Sequence, residues 1–299
     1  MIRIGVDFGG SKIEAAALGA GGGYLARRRI NNPRTYKGAI EAVAALVAEI
    51  EREAGDGGVV GVGAPGSVSP LTGRMRNANS TFLNGRPFRE DLEAALSRPI
   101  RLANDANCLA LSEVSDGAAV GAAVTYAVIL GTGCGGGLTI DGRLVEGASG
   151  IAGEWGHTPL PWPEADETPG PACWCGLNGC LETWISGSGL TRDHAAVTGE
   201  TLTAEAIVAA ARAGHEMAKA SVERYLGRLG RGLAMICNIL DPDVFVFGGG
   251  LSRAAEIYER LPEKIRPFVF ADGWMGRLAA AKWGDASGVR GAARLWETP

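Results

Sequence analysis

Two segments of this 299-residue chain share one pattern, in which an apolar run ends in glycines and a second apolar run follows. Residues 2–7 alternate between apolar and polar positions and lead into Gly9 and Gly10. About 125 residues later, residues 125–130 lead into the glycine-rich stretch 131–137. Short apolar runs bounded by glycine are typical of strands joined by tight turns. The repetition therefore predicts a duplicated α/β domain that opens each copy with a strand, turn, strand hairpin.

The rest of the chain alternates between helical and strand-like patterns. Apolar spacing predicts helices over residues 39–54, 88–96, 204–213 and 217–240 and short strands over residues 59–62, 101–103 and 244–247. The glycines at 248–250 are expected to open a further helix. Residues 153–180 are rich in Pro, Gly and Trp and show little periodicity, so we expect an irregular insertion that needs something other than a core to hold it.

Composition and charge favour a folded enzyme. With 46% hydrophobic residues, the chain can bury a large core. The net charge of -4 leaves no global basic surface for a phosphate backbone, which argues against nucleic acid as a partner. The first residues lack a signal-peptide pattern, and no apolar run reaches the roughly 18 residues of a membrane-spanning helix. We therefore expect a cytoplasmic protein with no membrane partner.

The glycine turns have the chemistry of phosphate sites. In the first turn, the backbone amides of Gly9 and Gly10 can approach anionic oxygens, Ser11 and Lys12 add donors, and Asp7 can hold a hydrated magnesium ion. An ordinary glycine β-turn would look the same.

The second turn has the same kind of phosphate-binding groups in Gly131, Thr132 and Gly133. A nucleotide is therefore expected between the two copies of the domain. Gly248, Gly249 and Gly250 offer a third surface without side chains, suited to a purine or ribose, or simply a strand-to-helix turn.

Asn104 and Asp105 follow the predicted strand 101–103. A carboxylate at a strand end can accept the proton of an attacking hydroxyl while the neighbouring amide orients the substrate. On local sequence alone the favoured interpretation is that Asp105 is the N-cap of a helix over residues 106–111, which is the more common use of Asp at such a position.

Three of the six cysteines crowd into eight residues, which indicates a metal site rather than a disulfide framework. His157, Cys173, Cys175 and Cys180 supply one imidazole and three thiolates, the donors of a closed, structural zinc site. Three buried thiols beside an unrelated histidine are the alternative.

Two acidic residues lie next to these candidate ligands. If residues 154–157 form a helical turn, the ion that fixes the position of His157 would also orient Glu154. The same ion would fix the position of Glu182, two residues past Cys180. Both acids could instead be solvated surface groups.

Taken together, these segments resemble the ROK family of sugar kinases and repressors over essentially the whole chain, and the His plus three-Cys set is the most specific part of the match. Within the family, the stretches 77–85, 102–109, 159–162 and 288–293 are most similar to bacterial fructokinases of the manno(fructo)kinase type. One departure is Ser11, where the family usually has threonine; the hydroxyl is retained.

The resemblance implies the two-lobed ATPase fold of actin, hexokinase and Hsp70, built from duplicated ribonuclease H-like domains with a zinc-held insertion. It implies a small lobe of residues 1–117 and 286–299 and a large lobe of residues 118–285. It also implies that Asp105 is the general base, that the glycine turns hold ATP with Mg²⁺, and that the sugar contacts are Asn79, Asn104, Glu154, His157 and Glu182.

The expected activity is phosphorylation of the 6-hydroxyl of fructose, with mannose as a second substrate. The alternatives within the family are a glucokinase and an N-acetylglucosamine kinase, since every candidate sugar offers a ring of hydroxyls to a polar pocket. A sugar-responsive repressor is disfavoured, because it needs a helix-turn-helix domain ahead of the first glycine turn. A non-catalytic zinc-binding scaffold is a further alternative. We expect a homodimer, the common state in this family and the commonest symmetric assembly.

Overall fold

The computed structural model describes residues 2–296, and the chain divides into two units. Unit 1 holds the residues up to Gly121, then Gly137–Ala152, and the residues from Lys282 onward. Unit 2 holds Ala122–Gly136 and Gly153–Ala281. The predicted lobes, with boundaries at 117/118 and 285/286, stay a prediction. Nothing in the sequence pattern indicates that residues 137–152 belong with the N-terminal segment.

Unit 1 is built on one mixed sheet, sheet 1, in the order β3-β2-β1-β4-β7. The hairpin strands β1 and β2 are antiparallel, whereas β4 and β7 run parallel to β1. The elements up to residue 121 are β1 (Ile2–Phe8), β2 (Lys12–Leu18), β3 (Tyr24–Asn31), α1 (Tyr36–Ala54), β4 (Gly58–Gly63), β5 (Ser67–Val68), β6 (Met75–Arg76), α2 (Phe88–Leu96), β7 (Ile100–Ala103) and α3 (Asp105–Asp116).

Helices cover both faces of sheet 1. Successive side chains of a strand point to opposite faces. Ile4 and Val6 of β1 join the buried cluster under α1 and α2. Gly5, between them, faces the last helix, α9 (Ser287–Arg294), which packs on β1 and β4 and against α3.

The contact between α3 and α9 depends on one glycine. A Cβ built on Gly291 would lie 1.7 Å from the carbonyl oxygen of Cys108, far inside any real contact. The backbones of the two helices therefore touch, and this fixes α3 on sheet 1.

The second sheet, sheet 2, repeats the same order, β10-β9-β8-β11-β12. Strands β8 and β11 are parallel, as are β11 and β12. Strand β9 begins in unit 2 and ends in unit 1. The remaining elements are β8 (Val124–Leu130), β9 (Cys134–Ile140), β10 (Arg143–Leu144), α4 (Glu182–Ile185), α5 (Gly187–Thr198), α6 (Ala204–Arg212), α7 (Glu216–Leu240), β11 (Val244–Gly248), α8 (Ala255–Ile265) and β12 (Arg277–Ala280).

The predicted insertion over residues 153–180 is irregular, with two short 3-10 turns, Trp155–His157 and Ala165–Glu167. Buried ion pairs attach it to α7. Glu167 accepts hydrogen bonds at 2.7 Å from both Arg228 and Arg231. Because all three side chains are buried, this contact holds the insertion independently of any metal.

Most predicted elements lie within a few residues of their observed bounds, but two differences stand out. The helix expected directly after the glycines at 248–250 is a 3-10 turn, Gly250–Arg253, and α8 begins only at Ala255. Helix α5 has no predicted counterpart. Among residues 2–296, no helix combines the length and apolar character needed to cross a bilayer.

Candidate active site

Asp105 stands at the start of α3, directly after β7. Residue 104, rather than 105, caps this helix: Asn104 Oδ1 accepts a hydrogen bond from the backbone N–H of Asn107 at 2.7 Å. The local prediction of Asp105 as the N-cap is therefore wrong. The Asp105 carboxylate accepts from the N–H of Ala106 at 2.8 Å, and much of its side chain is open to water.

Sheet register brings Asp7 to the same edge of sheet 1. Asp7 pairs with Gly63, and Gly63 pairs with Ala103, two residues before Asp105. The carboxyl ends of parallel neighbours meet at one edge, and two strand spacings amount to about 10 Å. Asp7 and Asp105 thus lie at the sheet edge where α/β proteins usually bind ligands.

Both carboxyls have raised pKa values. Burial, followed by the charges of Asp105 and Glu14, raises the pKa of Asp7 to about 7. Desolvation by the surrounding protein raises the pKa of the Asp105 carboxyl, and hydrogen bonds from the backbone N–H groups of Ala106 and of Asp105 itself act in the opposite direction. A carboxylate with a raised pKa is a better proton acceptor.

The first glycine turn is supported by a residue that the sequence did not indicate. The buried Asn32, at the end of β3, donates its side-chain amide to the Gly9 carbonyl at 2.8 Å and its backbone N–H to the Ser11 carbonyl at 2.9 Å. Ser11 and Lys12 are exposed at the tip of the turn. Asn32 lies about twenty residues away in sequence, so no local pattern could have revealed its role.

A cavity of about 420 Å³ in unit 1 lies beside the start of α3. Its wall includes Asn104 and Asn107, together with Ser67 of β5 and the loop residues Ser69 and Glu146. The predicted sugar contact Asn79 is exposed and lies outside the residues that line this cavity.

The four predicted metal ligands come together in unit 2. One ligand atom from each of His157, Cys173, Cys175 and Cys180 lies within 4.8 Å of the others. Cys175 Sγ is 3.6 Å from Cys180 Sγ, and His157 Nδ1 is 3.6 Å from Cys173 Sγ. Ligands at zinc bond lengths and tetrahedral angles are about 3.6–3.8 Å apart. The donor set and its spacing therefore fit a four-coordinate zinc ion. All four of its coordination positions would be filled by protein, so none would be left for a substrate.

The two predicted acidic sugar contacts are close in sequence to this candidate metal site. Glu154 is half-buried and directly precedes the 3-10 turn that carries His157. Glu182 is the first residue of α4, two positions after Cys180. Its Oε2 accepts from the backbone N–H of Cys134 at 2.9 Å, just beyond the second glycine turn. With Nδ1 of His157 directed toward the thiols, the opposite ring nitrogen is left for another partner.

A second cavity, of about 660 Å³ in unit 2, brings the other two predicted glycine sites together. Gly131, Thr132 and Gly250 line it, along with Arg192 of α5 and Glu205 of α6. Gly248 ends β11, and Gly249 follows with a φ of 83°. Neither Arg192 nor Glu205 stands in a recognisable motif, so no sequence pattern indicated that they line this cavity.

Comparison with known proteins agrees with this architecture. The family model of the ROK family matches residues 3–298. An N-acetyl-D-glucosamine kinase of Pectobacterium carotovorum is 39% identical over 296 residues, 97% of each chain. The crystal structure of a ROK hexokinase from Thermus thermophilus matches with a TM-score of 0.87 and 34% identity, over 98% of this chain and 97% of that one. A ROK glucokinase from Streptomyces griseus, solved with glucose and AMPPNP, matches with a TM-score of 0.81 and 31% identity over 99% of both chains.

The chain belongs to the ROK family. The predicted α/β fold of the hexokinase type is confirmed by these matches. The roles assigned to individual residues, and the homodimer, stay predictions.

Proposed function

We propose that this protein is an ATP-dependent kinase that phosphorylates the 6-hydroxyl of N-acetylglucosamine. The choice of sugar rests on its relatives, of which an Escherichia coli N-acetyl-D-glucosamine kinase is 40% identical over 296 residues. The fructose predicted from sequence is less well supported than this alternative, because the relatives named here act on other sugars or on hexoses in general.

The observation that carries the kinase proposal is the pair of carboxyls at one edge of sheet 1. Asp105 is accessible and its carboxyl has a raised pKa. Because Asn104 caps α3, the Asp105 side chain is not needed as the N-cap. Phosphoryl transfer needs an acceptor for the hydroxyl proton and a holder for the charge-compensating cation. Asp105 fits the first role and Asp7 the second.

In the proposed reaction, the sugar 6-oxygen attacks the γ-phosphorus of ATP, the bond to the β,γ-bridging oxygen breaks, and ADP leaves. Asp105 accepts the hydroxyl proton. The Gly10 amide, with Ser11 and Lys12, binds phosphate oxygens, whereas the Gly9 N–H expected to do so is donated to the Lys12 carbonyl at 3.0 Å and holds the turn closed. Mg²⁺, when bound near Asp7, would screen the phosphate charge. Gly131, Thr132 and Gly250, which line the unit 2 cavity, are the further nucleotide contacts that the family resemblance implies.

The sugar contacts follow from the same scheme. Asn104 lines the unit 1 cavity, where its side-chain amide nitrogen can donate to a sugar oxygen. Glu154 and Glu182 are acceptors for sugar hydroxyls, and His157 can bond the sugar through the ring nitrogen that faces away from the thiols. Zinc has a structural role in this proposal, since four protein ligands complete its coordination.

A panel of sugars tests the substrate. We expect kcat/KM for N-acetylglucosamine to exceed the values for glucose, mannose and fructose by at least about tenfold, because a site that hydrogen-bonds an acetamide group is left with an unpaired polar group by a sugar that lacks it. ADP release measured by a coupled assay gives these ratios. A preference for fructose would restore the sequence-based reading, and no turnover with any of the four would refute the kinase proposal.

The raised pKa of Asp7 predicts a pH-dependent gain in stability when the residue is neutralised. Its pKa rises from 3.8 in the unfolded chain to about 7 in the folded one. The folded state therefore loses stability as pH rises between about 4 and 7, and the loss is complete above 7. Asp7→Asn removes this loss. Without magnesium or nucleotide, we expect it to raise the free energy of unfolding at pH 8 by about 1–4 kcal/mol, and by less at pH 5.

Urea unfolding at the two pH values measures this effect. Asp272→Asn makes the same chemical change at an exposed position and serves as the matched control. A gain for Asp7→Asn that is equal at pH 5 and pH 8 would show that the Asp7 carboxyl does not titrate in this range.

A further inference from the structure

Both oxygens of the Glu182 carboxylate are held within unit 2. Oε2 accepts from the backbone N–H of Cys134 at 2.9 Å, and Oε1 accepts from the indole N–H of Trp174 at 2.7 Å. Oε2 also packs on the second glycine turn, where a Cβ on Gly133 would approach it to 2.6 Å. Two donors on two different oxygens fix the rotation of a carboxylate that would otherwise turn freely.

Trp174 stands between two metal ligands, Cys173 and Cys175, and touches a third. Its ring meets the imidazole of His157 edge to face, with the ring centroids 4.8 Å apart and the planes at 90°. The side chain is 64% exposed, so it contributes little to the core. Its contacts instead join His157 and Glu182, two of the residues proposed above to bind the sugar.

We propose that Trp174 is a positioning residue for sugar binding, which orients the Glu182 carboxylate and the His157 ring toward the substrate. This inference rests on the proposed function. Each carboxylate oxygen has two acceptor sites. With one site on each oxygen filled by Trp174 and Cys134, the remaining sites point in fixed directions. They match a ligand that presents neighbouring hydroxyl groups, as a sugar ring does.

Trp174→Phe tests the inference, since it keeps an aromatic ring beside His157 and removes the N–H donor. We expect the KM for the sugar to rise about 5- to 10-fold, the size of one typical net hydrogen bond, with kcat changed less than about twofold. Zinc content should equal that of the unaltered protein. Trp162→Phe, the same change at another half-exposed indole of unit 2, should leave the KM unchanged.

A double-mutant cycle separates positioning from a general effect on the fold. If Trp174 acts through Glu182, Trp174→Phe in a Glu182→Ala background should change the KM by less than about twofold. An equal rise in both backgrounds, or an unchanged KM in the single variant, would overturn the inference.

A measurement that needs no activity keeps this inference distinct from the proposed function. In zinc-loaded protein labelled with ¹⁵N-tryptophan, the indole resonance missing from Trp174→Phe identifies Trp174. Glu182→Ala should shift this resonance and leave that of Trp162 in place. If the shift occurs and no sugar is phosphorylated, the proposed function fails while the contact stands. If the resonance does not move, the positioning role is refuted whatever the activity.

Discussion

Replacing Asp105 with asparagine is expected to lower kcat by at least about 100-fold, while the fold and the sugar affinity stay in place. General-base catalysis contributes on the order of 10²- to 10⁴-fold, and an amide oxygen is too weak a base to take the hydroxyl proton. The fold should survive because Asn104, not Asp105, caps α3. An asparagine oxygen at position 105 can still accept from the N–H of Ala106.

Single-turnover and steady-state kinetics on the preferred sugar, with circular dichroism and calorimetry, would measure both halves of this prediction. Asn104→Ala gives the structural contrast, since loss of the cap should cost about 0.5–2 kcal/mol of stability. Because the pKa of Asp105 is raised, the activity of the unaltered enzyme should fall on the acid side as the carboxylate is protonated. A near-normal turnover number for Asp105→Asn would remove Asp105 from the role of base.

Replacing Cys175 with alanine is expected to release zinc and raise the KM for the sugar by at least about tenfold. Cys175 is the exposed ligand of the set, so its loss leaves no cavity in the core. A three-ligand site binds zinc far more weakly, and a structural ion contributes folding free energy to the segment it holds. His157 and Glu182 would then lose their fixed orientation, the second through the displacement of Trp174.

The damage should stay local to the insertion. Glu167 still joins the insertion to α7 through Arg228 and Arg231. Metal analysis of the purified protein and sugar kinetics on the same sample test both statements. Cys237→Ala removes a buried thiol outside the cluster and should retain the metal. An unaltered protein purified without zinc, or an unchanged KM in Cys175→Ala, would contradict the proposed role of the metal.

Local patterns were enough to predict much of this molecule. The two glycine-ended hairpins, the long helix α7 and the irregular insertion all follow from spacing between near neighbours. The cluster of candidate metal ligands was predictable for the same reason, because all four lie within 24 residues and their sulfur and nitrogen donors are the ones zinc prefers. The preferred sugar could not be predicted in this way. Polar pockets for different hexoses use the same residue types, so their sequences differ little.

What the sequence determined by itself was thus most of the elements, with α5 as an exception, and the chemistry that each one carries. The tertiary structure alone decided which groups meet. Sheet register brings Asp7 to the edge that Asp105 occupies, helix packing brings Arg192 and Glu205 to the glycines of unit 2, and Trp174 reaches Glu182 across a fold of the insertion. Periodicity records how a residue relates to neighbours a few positions away. Contacts between distant segments depend on how whole sheets and helices pack, and no local pattern contains that information.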